Sequence, residues 1–252
     1  MKLFPAIFFG HGSPMNAIEN NAYTKSWAEI VKGLPRPRAI LMISAHYETA
    51  GSKITAAPKL KTIHDFYGFP KELFDVKYEP KTDLELAKKI QKLIPGAQLD
   101  ESHGIDHGAW SVLIHTHPSA AIPVLQLSID KNKTAKEHYE TAKKLQELRD
   151  EVLILASGNI VHNLALLNWQ GGQSYDWAIK FNDAIKKAIL QNDHEKIIAF
   201  EKLDGSELAA PDHEHFFPLL YILAQQQKNE KVEIFCEGME LGSISMMSVK
   251  VG

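Results

Sequence analysis

The sequence predicts an α/β fold: a single domain with a mostly parallel central sheet, helices on both faces of the sheet, and an antiparallel hairpin at the C-terminus. Two observations predict this class. Several short apolar runs are continuous rather than alternating, which is typical of strands that are covered on both faces. Amphipathic stretches of helical period separate these runs, as expected for strand–helix–strand crossovers. With 252 residues and no repeat or linker, we expect one domain over residues 1–252.

Five apolar runs bounded by polar residues are interpreted as buried strands. The last of them opens a C-terminal segment with a turn at Glu237-Gly238 or at Leu241-Gly242 and then a closing strand, so we expect an antiparallel edge hairpin there. The five runs are residues 6–9, 39–44, 122–127, 152–156 and 232–235.

Five stretches with apolar residues at helical spacing are interpreted as helices. Thr82 is the predicted N-cap of the second helix. Pro211 and Asp212 resemble the start of the last helix, which would place His213 and His215 in its first turn. The five stretches are residues 22–32, 83–93, 134–149, 175–190 and 215–226.

The composition excludes several functional classes. A net charge of −3 without a Lys/Arg stripe argues against nucleic-acid binding. No apolar run approaches the roughly 20 residues that a membrane helix needs, and the N-terminus lacks a signal-peptide cleavage pattern. The single cysteine, Cys236, excludes an internal disulfide and a cysteine-based metal site. We therefore expect a cytoplasmic protein without a membrane or nucleic-acid partner, and nothing in the composition indicates its oligomeric state.

Histidines follow three of the predicted strands. His11 lies in "FFGHGSPMN", His46 in "LMISAHYET" and His162 in "VLILASGNIVHNL". Because the carboxyl ends of parallel strands lie along one edge of a sheet, where ligand sites form, these side chains are expected close together. His215, in "PDHEHFFPLL", is a fourth candidate, whereas His213 is expected to be solvated.

A single histidine after a strand is more often a hydrogen-bonded packing residue than a ligand. Recurrence at equivalent places favours a metal site, and an all-imidazole set suits Zn(II) or Fe(II) rather than Mg(II) or Ca(II). His107, in "GIDHGAWSVL", would either hold a substrate oxygen or act in capping and packing at a helix start. His103, His138 and His194 are expected at the surface.

Other catalytic motifs are absent from the sequence. There is no G-x-S-x-G nucleophile elbow, no Walker A loop and no G-x-G-x-x-G fingerprint, which disfavours phosphate and dinucleotide binding. Residues 49–78 have no clear period and contain the aromatic segment "HDFYGFPKELF". A long loop of this kind, here called the aromatic loop, is often a pocket wall, and Phe66, Tyr67 and Phe69 are its candidate lining residues.

Six motifs together resemble the 4,5-DOPA extradiol dioxygenase family, a class III extradiol ring-cleavage group related to the β subunit of protocatechuate 4,5-dioxygenase. The resemblance runs from about residue 6 to about residue 222. The motifs are "GHGSPMNA", "SAHYET", "HDFYGFPKELF", "DHGAWSVL", "PVLQLSID" and "SGNIVHNL".

The resemblance implies one mononuclear non-haem metal per chain in an extradiol-dioxygenase-like catalytic domain. His11 and His46 match two ligands, and His215 matches the third, where the protocatechuate branch has a glutamate. His162 matches the acid–base histidine, with a pKa expected near the working pH, and it can also become a fourth ligand. His107 would hold substrate or oxygen, and the aromatic residues of the loop would contact the aromatic substrate. Fe(II) is expected for dioxygenase activity on a catechol such as DOPA with O2, and Zn(II) is a plausible metal for the isolated protein.

Two alternative functions use the same residues or the same fold. A zinc-dependent hydrolase would activate a metal-bound water, with Glu48 or Glu214 as the base. A Memo-type scaffold would bind a partner without catalysis. Retention of all four histidines argues against the scaffold, and O2 consumption distinguishes the dioxygenase from the hydrolase.

Overall fold

A six-stranded sheet forms the centre of the computed structural model, which describes residues 3–252. Residues 1 and 2 lie outside the described part of the predicted domain. The strands of this sheet are β1 (Ala6–Gly10), β2 (Ala39–Ser44), β3 (Val124–Gln126), β4 (Val152–Gly158), β5 (Val232–Cys236) and β6 (Ser248–Val251).

The spatial order of the strands is β3-β2-β4-β1-β6-β5. The first four are parallel to one another, while β6 is antiparallel to both β1 and β5. The four parallel strands are buried throughout, which is why their sequences are continuously apolar. The predicted α/β class with antiparallel C-terminal strands is therefore confirmed.

The C-terminal strands differ from a simple edge hairpin. β6 inserts between β1 and β5, so only β5 of the two C-terminal strands lies at an edge of the sheet, and it is only partly buried. The connection folds into a second small hairpin, Met239–Glu240 with Ile244–Ser245, around the turn at Leu241-Gly242. Two further short parallel pairs flank the sheet. They join Glu48–Thr49 to Ile129–Asp130, and Lys53–Thr55 to Gln98–Asp100.

Helices cover both faces of the sheet, as predicted. Alternate residues of each parallel strand supply the two hydrophobic cores, so Phe8 packs with one core and Ile7 with the other. The helices are α1 (Ala22–Ile30), α2 (Lys71–Phe74), α3 (Leu84–Leu93), α4 (His107–Thr116), α5 (Ala135–Lys143), α6 (Asp176–Leu190), α7 (His194–Ile198), α8 (Ser206–Ala209) and α9 (Phe217–Leu223).

Two predicted helix starts are wrong. The carboxylate of Asp83, not the side chain of Thr82, accepts the backbone N–H of Leu86 and caps α3. The hydroxyl of Thr82 instead donates to the carbonyl oxygen of Ala57. The last helix begins at Phe217 rather than near Asp212, because the chain before it includes a left-handed residue, His213, with φ of 60°.

The other predicted elements are placed correctly but differ in length. The run at 122–127 forms only the three-residue strand β3, and the stretch at 134–149 divides into α5 and the 3-10 turn Lys144–Leu148. Thr134 and Glu137 form a capping box at the start of α5. Within residues 3–252, no helix combines the length and apolar character needed to cross a membrane.

Candidate metal centre

Three of the candidate histidines lie at the carboxyl edge of the parallel strands. His11 directly follows β1, His46 comes two residues after β2, and His162 comes four residues after β4. The backbone ladder extends past the strands, since the N–H of His11 donates to Gly158 O at 3.1 Å and that of Ala45 donates to Ser157 O at 3.0 Å. Parallel pairing therefore delivers these side chains to the same edge.

His107 and His215 reach that edge from helix starts. His107 is the first residue of α4, and the carboxylate of Asp106 caps this helix by accepting the backbone N–H of Ala109. His215 precedes α9, and its carbonyl oxygen accepts the N–H of Asn159 at 2.9 Å. A Cβ atom on Gly158 would lie 2.2 Å from this carbonyl oxygen, so glycine is required for the loop to reach the strand end.

The structure brings all five candidate histidines together in two adjoining groups. The first comprises His11, His46 and His107, and the second comprises His162, Glu214 and His215; within each, the ligand atoms lie within 4.8 Å of one another. The Nε2 atoms of His11 and His46 are 3.3 Å apart. The rings of His162 and His215 stack at 3.5 Å between centroids, and His215 lies 4.9 Å from the ring of His46.

Oxygen atoms next to the Nδ1 atoms determine which nitrogens can bind a metal. The hydroxyl of Ser157 donates to Gly108 O at 2.5 Å, so it accepts from Nδ1–H of His11 at 2.8 Å. The Nε2 atom of His11 therefore carries the lone pair. Glu214 Oε1 lies 2.8 Å from Nδ1 of His215 and accepts Nδ1–H when the carboxyl is ionised. Such partners commonly orient metal-binding histidines.

Burial keeps four of the five imidazoles neutral, those of His11, His46, His162 and His215. It lowers the pKa of His11 and of His215 well below the ordinary value, and neighbouring histidines lower both further. Burial, followed by the charge of His107, lowers the pKa of His46 to about 4 against the opposing effect of Asp106 and Asp65. Burial, then His46 and His107, lowers the pKa of His162 to about 3. Neutral imidazole is the form that binds metals.

The donor set fits a divalent metal ion. The Nε2 atom of His215 is buried and has no hydrogen-bond partner, a costly state for a polar atom. A metal ion would satisfy it, and several neutral imidazoles with a nearby carboxylate suit Fe(II) or Zn(II). Burial also raises the pKa of Glu214 to about 7, with contributions from Asp212 and Glu48.

Three acidic or hydroxyl residues around the site were not predicted to contribute to it. Ser157 contacts His11, and Asp65 lies 3.0 Å from Nδ1 of His107 and 3.4 Å from Nδ1 of His46. Asp106 is fully buried and accepts from Ser44 Oγ at 2.5 Å and Gln126 Nε2 at 2.8 Å. The only sequence signal was adjacency, because Asp106 precedes His107 and Asp65 lies in the aromatic loop.

Only some of the predicted aromatic residues of this loop lie near the site. The ring of Phe66 lies 5.5 Å from that of His107, and Phe69 packs on Phe66 at 5.4 Å. The side chain of Tyr67 is 92% exposed.

The predicted surface histidines also differ from one another. His138 is completely buried, so its predicted surface position is wrong, whereas His103 and His194 are partly buried. His213 is partly exposed, near Glu201.

Comparison with known proteins places this site in context. The family model described as the catalytic LigB subunit of aromatic ring-opening dioxygenase matches residues 5–252. A 4,5-DOPA dioxygenase extradiol of Escherichia coli (strain K12) is 44% identical over 256 aligned residues, which cover 98% of this chain and 94% of that protein. The 4,5-DOPA dioxygenase extradiol of Beta vulgaris is 35% identical, with coverages of 96% and 94%. The crystal structure of an uncharacterized protein from Escherichia coli K12 has a TM-score of 0.87 at 40% identity, covering 99% of this chain and 100% of that one.

Proposed function

The chain belongs to the LigB family of aromatic ring-opening dioxygenases and is an extradiol ring-opening dioxygenase, and from that premise we propose that it opens a catechol such as DOPA with O2. The resemblance in the sequence motifs is thereby confirmed. The observation that carries the proposal is the convergence of five histidines at one sheet edge, with the buried Nε2 of His215 lacking a partner. The identity of the relatives supports the choice of DOPA for the first assay.

We propose that His11, His46 and His215 would hold one divalent metal ion, and that Fe(II) is the active metal. When bound, the ion would act as a Lewis acid that lowers the pKa of the catechol hydroxyls and promotes reaction with O2. Zn(II) suits the same imidazoles and would be the form found after isolation. His107 belongs to the same group as His11 and His46, so it competes with His215 as the third ligand.

His162 is the proposed acid–base residue. Its pKa is lowered to about 3 rather than lying near the working pH, so the ring is neutral and a weak base. Its free nitrogen would accept a catechol proton once a bound ion lowers the pKa of that hydroxyl. An imidazolium of low pKa is a strong acid and readily returns that proton to an oxygen of the opening ring. The stacking of His162 on His215 holds it beside the proposed ligands.

His107 is proposed to hold substrate or oxygen. Its ring lies between those of His46, at 3.9 Å, and Phe66, at 5.5 Å, so it connects the candidate ligands to the aromatic loop. A planar catechol next to Phe66 would make an aromatic contact while its hydroxyls face the imidazoles. This arrangement would orient the substrate and exclude water from one side of the site.

The proposed catalytic domain spans residues 1–252, and the family match over residues 5–252 supports it. The cytoplasmic location stays a prediction, which subcellular fractionation would test.

Oxygen uptake tests the proposed function. Metal-free protein is reconstituted anaerobically with Fe(II) or Zn(II) and then given L-DOPA, other catechols and O2. We expect uptake and a yellow ring-opened product only with Fe(II), and a loss of at least about 100-fold in His162→Ala, in line with the usual contribution of an acid–base residue. His213→Asn, a substitution in the loop next to His215, should retain activity.

The remaining outcomes separate the alternatives. No uptake with any catechol, in protein that still binds one metal tightly, would contradict the substrate proposal and favour a zinc hydrolase. If His11→Ala does not reduce metal binding, the proposed ligand set is wrong and the scaffold alternative returns. If His215→Ala still binds the metal and His107→Ala does not, His107 is the third ligand and His215 is not.

A further inference from the structure

The segment that carries Asp65 is fixed against the helix that carries His107. The indole N–H of Trp110 donates to Ile63 O at 2.8 Å, and the backbone N–H of Ile63 donates to Ile105 O at 2.8 Å. Nε2 of His64 lies 3.0 Å from Val76 O. The two residues that precede Asp65 therefore have defined partners, and its carboxylate reaches the site from a supported segment.

One carboxylate contacts both His46 and His107. Asp65 Oδ1 accepts the backbone N–H of His107 at 3.0 Å and also lies 3.0 Å from Nδ1 of the same residue. Asp65 Oδ2 lies 3.4 Å from Nδ1 of His46. The contacts to the two rings are close but not aligned as hydrogen bonds, which is common at sites that tighten when loaded.

We propose that Asp65 is a positioning residue that orients the imidazoles of His46 and His107 together and keeps the proton of each on Nδ1. An aspartate is ionised at neutral pH, and its charge repels a ring nitrogen that carries a lone pair but attracts one that carries a proton. With Nδ1 protonated, Nε2 is the nitrogen available in each ring. For His46 this is the atom that faces Nε2 of His11 at 3.3 Å.

The contacts of Asp65 differ from those of Asp106, the carboxylate that stabilises the fold nearby. Asp106 stabilises the same region: it is fully buried, caps α4 and accepts from Ser44 and Gln126. The Asp65 side chain is 26% exposed and makes a hydrogen bond only to the backbone N–H of His107, among the contacts of the described residues. Its remaining contacts go to the two imidazoles, so its replacement should affect the site more than the fold.

The substitution Asp65→Asn tests the proposal because it retains shape and removes the charge. We expect Zn(II) affinity, measured by competition with a chelator, to fall about 10- to 100-fold, as for other residues that orient metal-binding histidines. Long-range ¹H–¹⁵N spectra of the metal-free protein should show that His46 and His107 no longer populate the Nδ1–H tautomer predominantly. Asp65→Glu should recover part of the affinity because it restores the carboxylate.

Asp75→Asn is the matched control, since Asp75 lies in the same part of the chain and pairs with the exposed Lys71. It should change neither the affinity nor the spectra. Wild-type affinity and tautomers in Asp65→Asn would overturn the proposal, as would an equal loss in Asp75→Asn.

The proposal rests on the proposed function only for the identity of the reaction, and the two can fail separately. If wild-type protein binds metal but consumes no O2 with catechols, the proposed substrate class fails. The affinity difference between Asp65→Asn and Asp75→Asn would still support the positioning role.

Discussion

At the residue scale, individual oxygen atoms next to the histidine rings determine which ring nitrogen is available to a metal. Ser157 leaves His11 with a free Nε2, and Glu214 occupies Nδ1 of His215. Gly158 contributes by having no side chain, because any Cβ there would collide with the carbonyl oxygen of His215. The chemistry of the imidazoles thus depends on neighbours that carry no catalytic signature in the sequence.

Phe66 and Tyr67 offer a matched test of the aromatic loop. Phe66 contacts His107, whereas Tyr67 is 92% exposed. Phe66→Ala should raise KM for catechols several-fold, because it removes the aromatic surface next to the site. It should also cost about 1–3 kcal/mol of stability, less than a fully buried phenylalanine would.

Tyr67→Ala should leave KM unchanged and shift the free energy of unfolding by no more than about 0.5 kcal/mol. Steady-state kinetics and urea unfolding of both variants provide the measurements. An unchanged KM in Phe66→Ala would show that this residue does not contact the substrate.

At the scale of elements, the packing of α5 against α9 buries His138, which was expected at the surface from the sequence. His138, in α5, lies 3.0 Å from the hydroxyl of Tyr221 through Nδ1, and its ring is 4.5 Å from that of Phe217. Both partners are in α9 and distant in sequence. The prediction failed because the covering helix is brought over α5 by the tertiary fold.

This buried histidine should make stability depend on pH. Burial, with a smaller effect of Lys133, lowers the pKa of His138 to about 4 from an ordinary value of 6.5. As the pH falls from 6.5 towards 4, the unfolded chain takes up this proton while the folded chain does not, so the folded state loses stability. The loss is on the order of 3 kcal/mol once the pH is near 4.

His138→Gln retains a polar partner for Tyr221 and removes the titration. Urea midpoints measured from pH 7 to pH 4.5 should therefore fall less steeply for this variant than for the wild type. The slope will not vanish, because burial lowers the pKa of the site histidines as well. His213→Gln should retain the wild-type slope, and equal slopes in all three proteins would refute the assignment.

At the scale of the whole molecule, Arg149 connects distant parts of the chain. Its guanidinium is fully buried, donates to Phe4 O at 2.8 Å and Gln225 O at 2.7 Å, and pairs with Glu230 at 2.7 Å. The N–H of Phe4 in turn donates to Arg149 O. The N-terminal segment leading to β1 is thereby joined to the chain that follows α9.

Arg149→Leu should destabilise the protein by about 3–5 kcal/mol, because it leaves a carboxylate and two carbonyl oxygens without their partner. Arg38 is the control: it pairs with Asp83 and Glu151, but its side chain is 38% exposed. Arg38→Leu should cost about 1 kcal/mol or less, since water replaces a surface ion pair. Similar urea midpoints for the two variants would contradict a central role for Arg149.

The sequence by itself determined the α/β class, the four buried parallel strands and the histidines at the ends of three of them. These features depend on local patterns, because continuous apolar runs mark strands buried on both faces and parallel strands end at one edge. The sequence also made His107 and His215 candidates, for which the family resemblance implied roles, and the structure places both beside the others. Their individual roles stay predictions.

Only the tertiary structure decided which groups surround those histidines and which strand lies at the edge. Asp65, Ser157 and Glu214 act on imidazoles through contacts that mostly join residues far apart in sequence, and β6 inserts between β1 and β5. Glu214 is adjacent to His215, yet the position of this pair depends on the close approach of the His215 carbonyl to Gly158. Local patterns encode burial and period, but which side chains meet depends on how elements pack against one another.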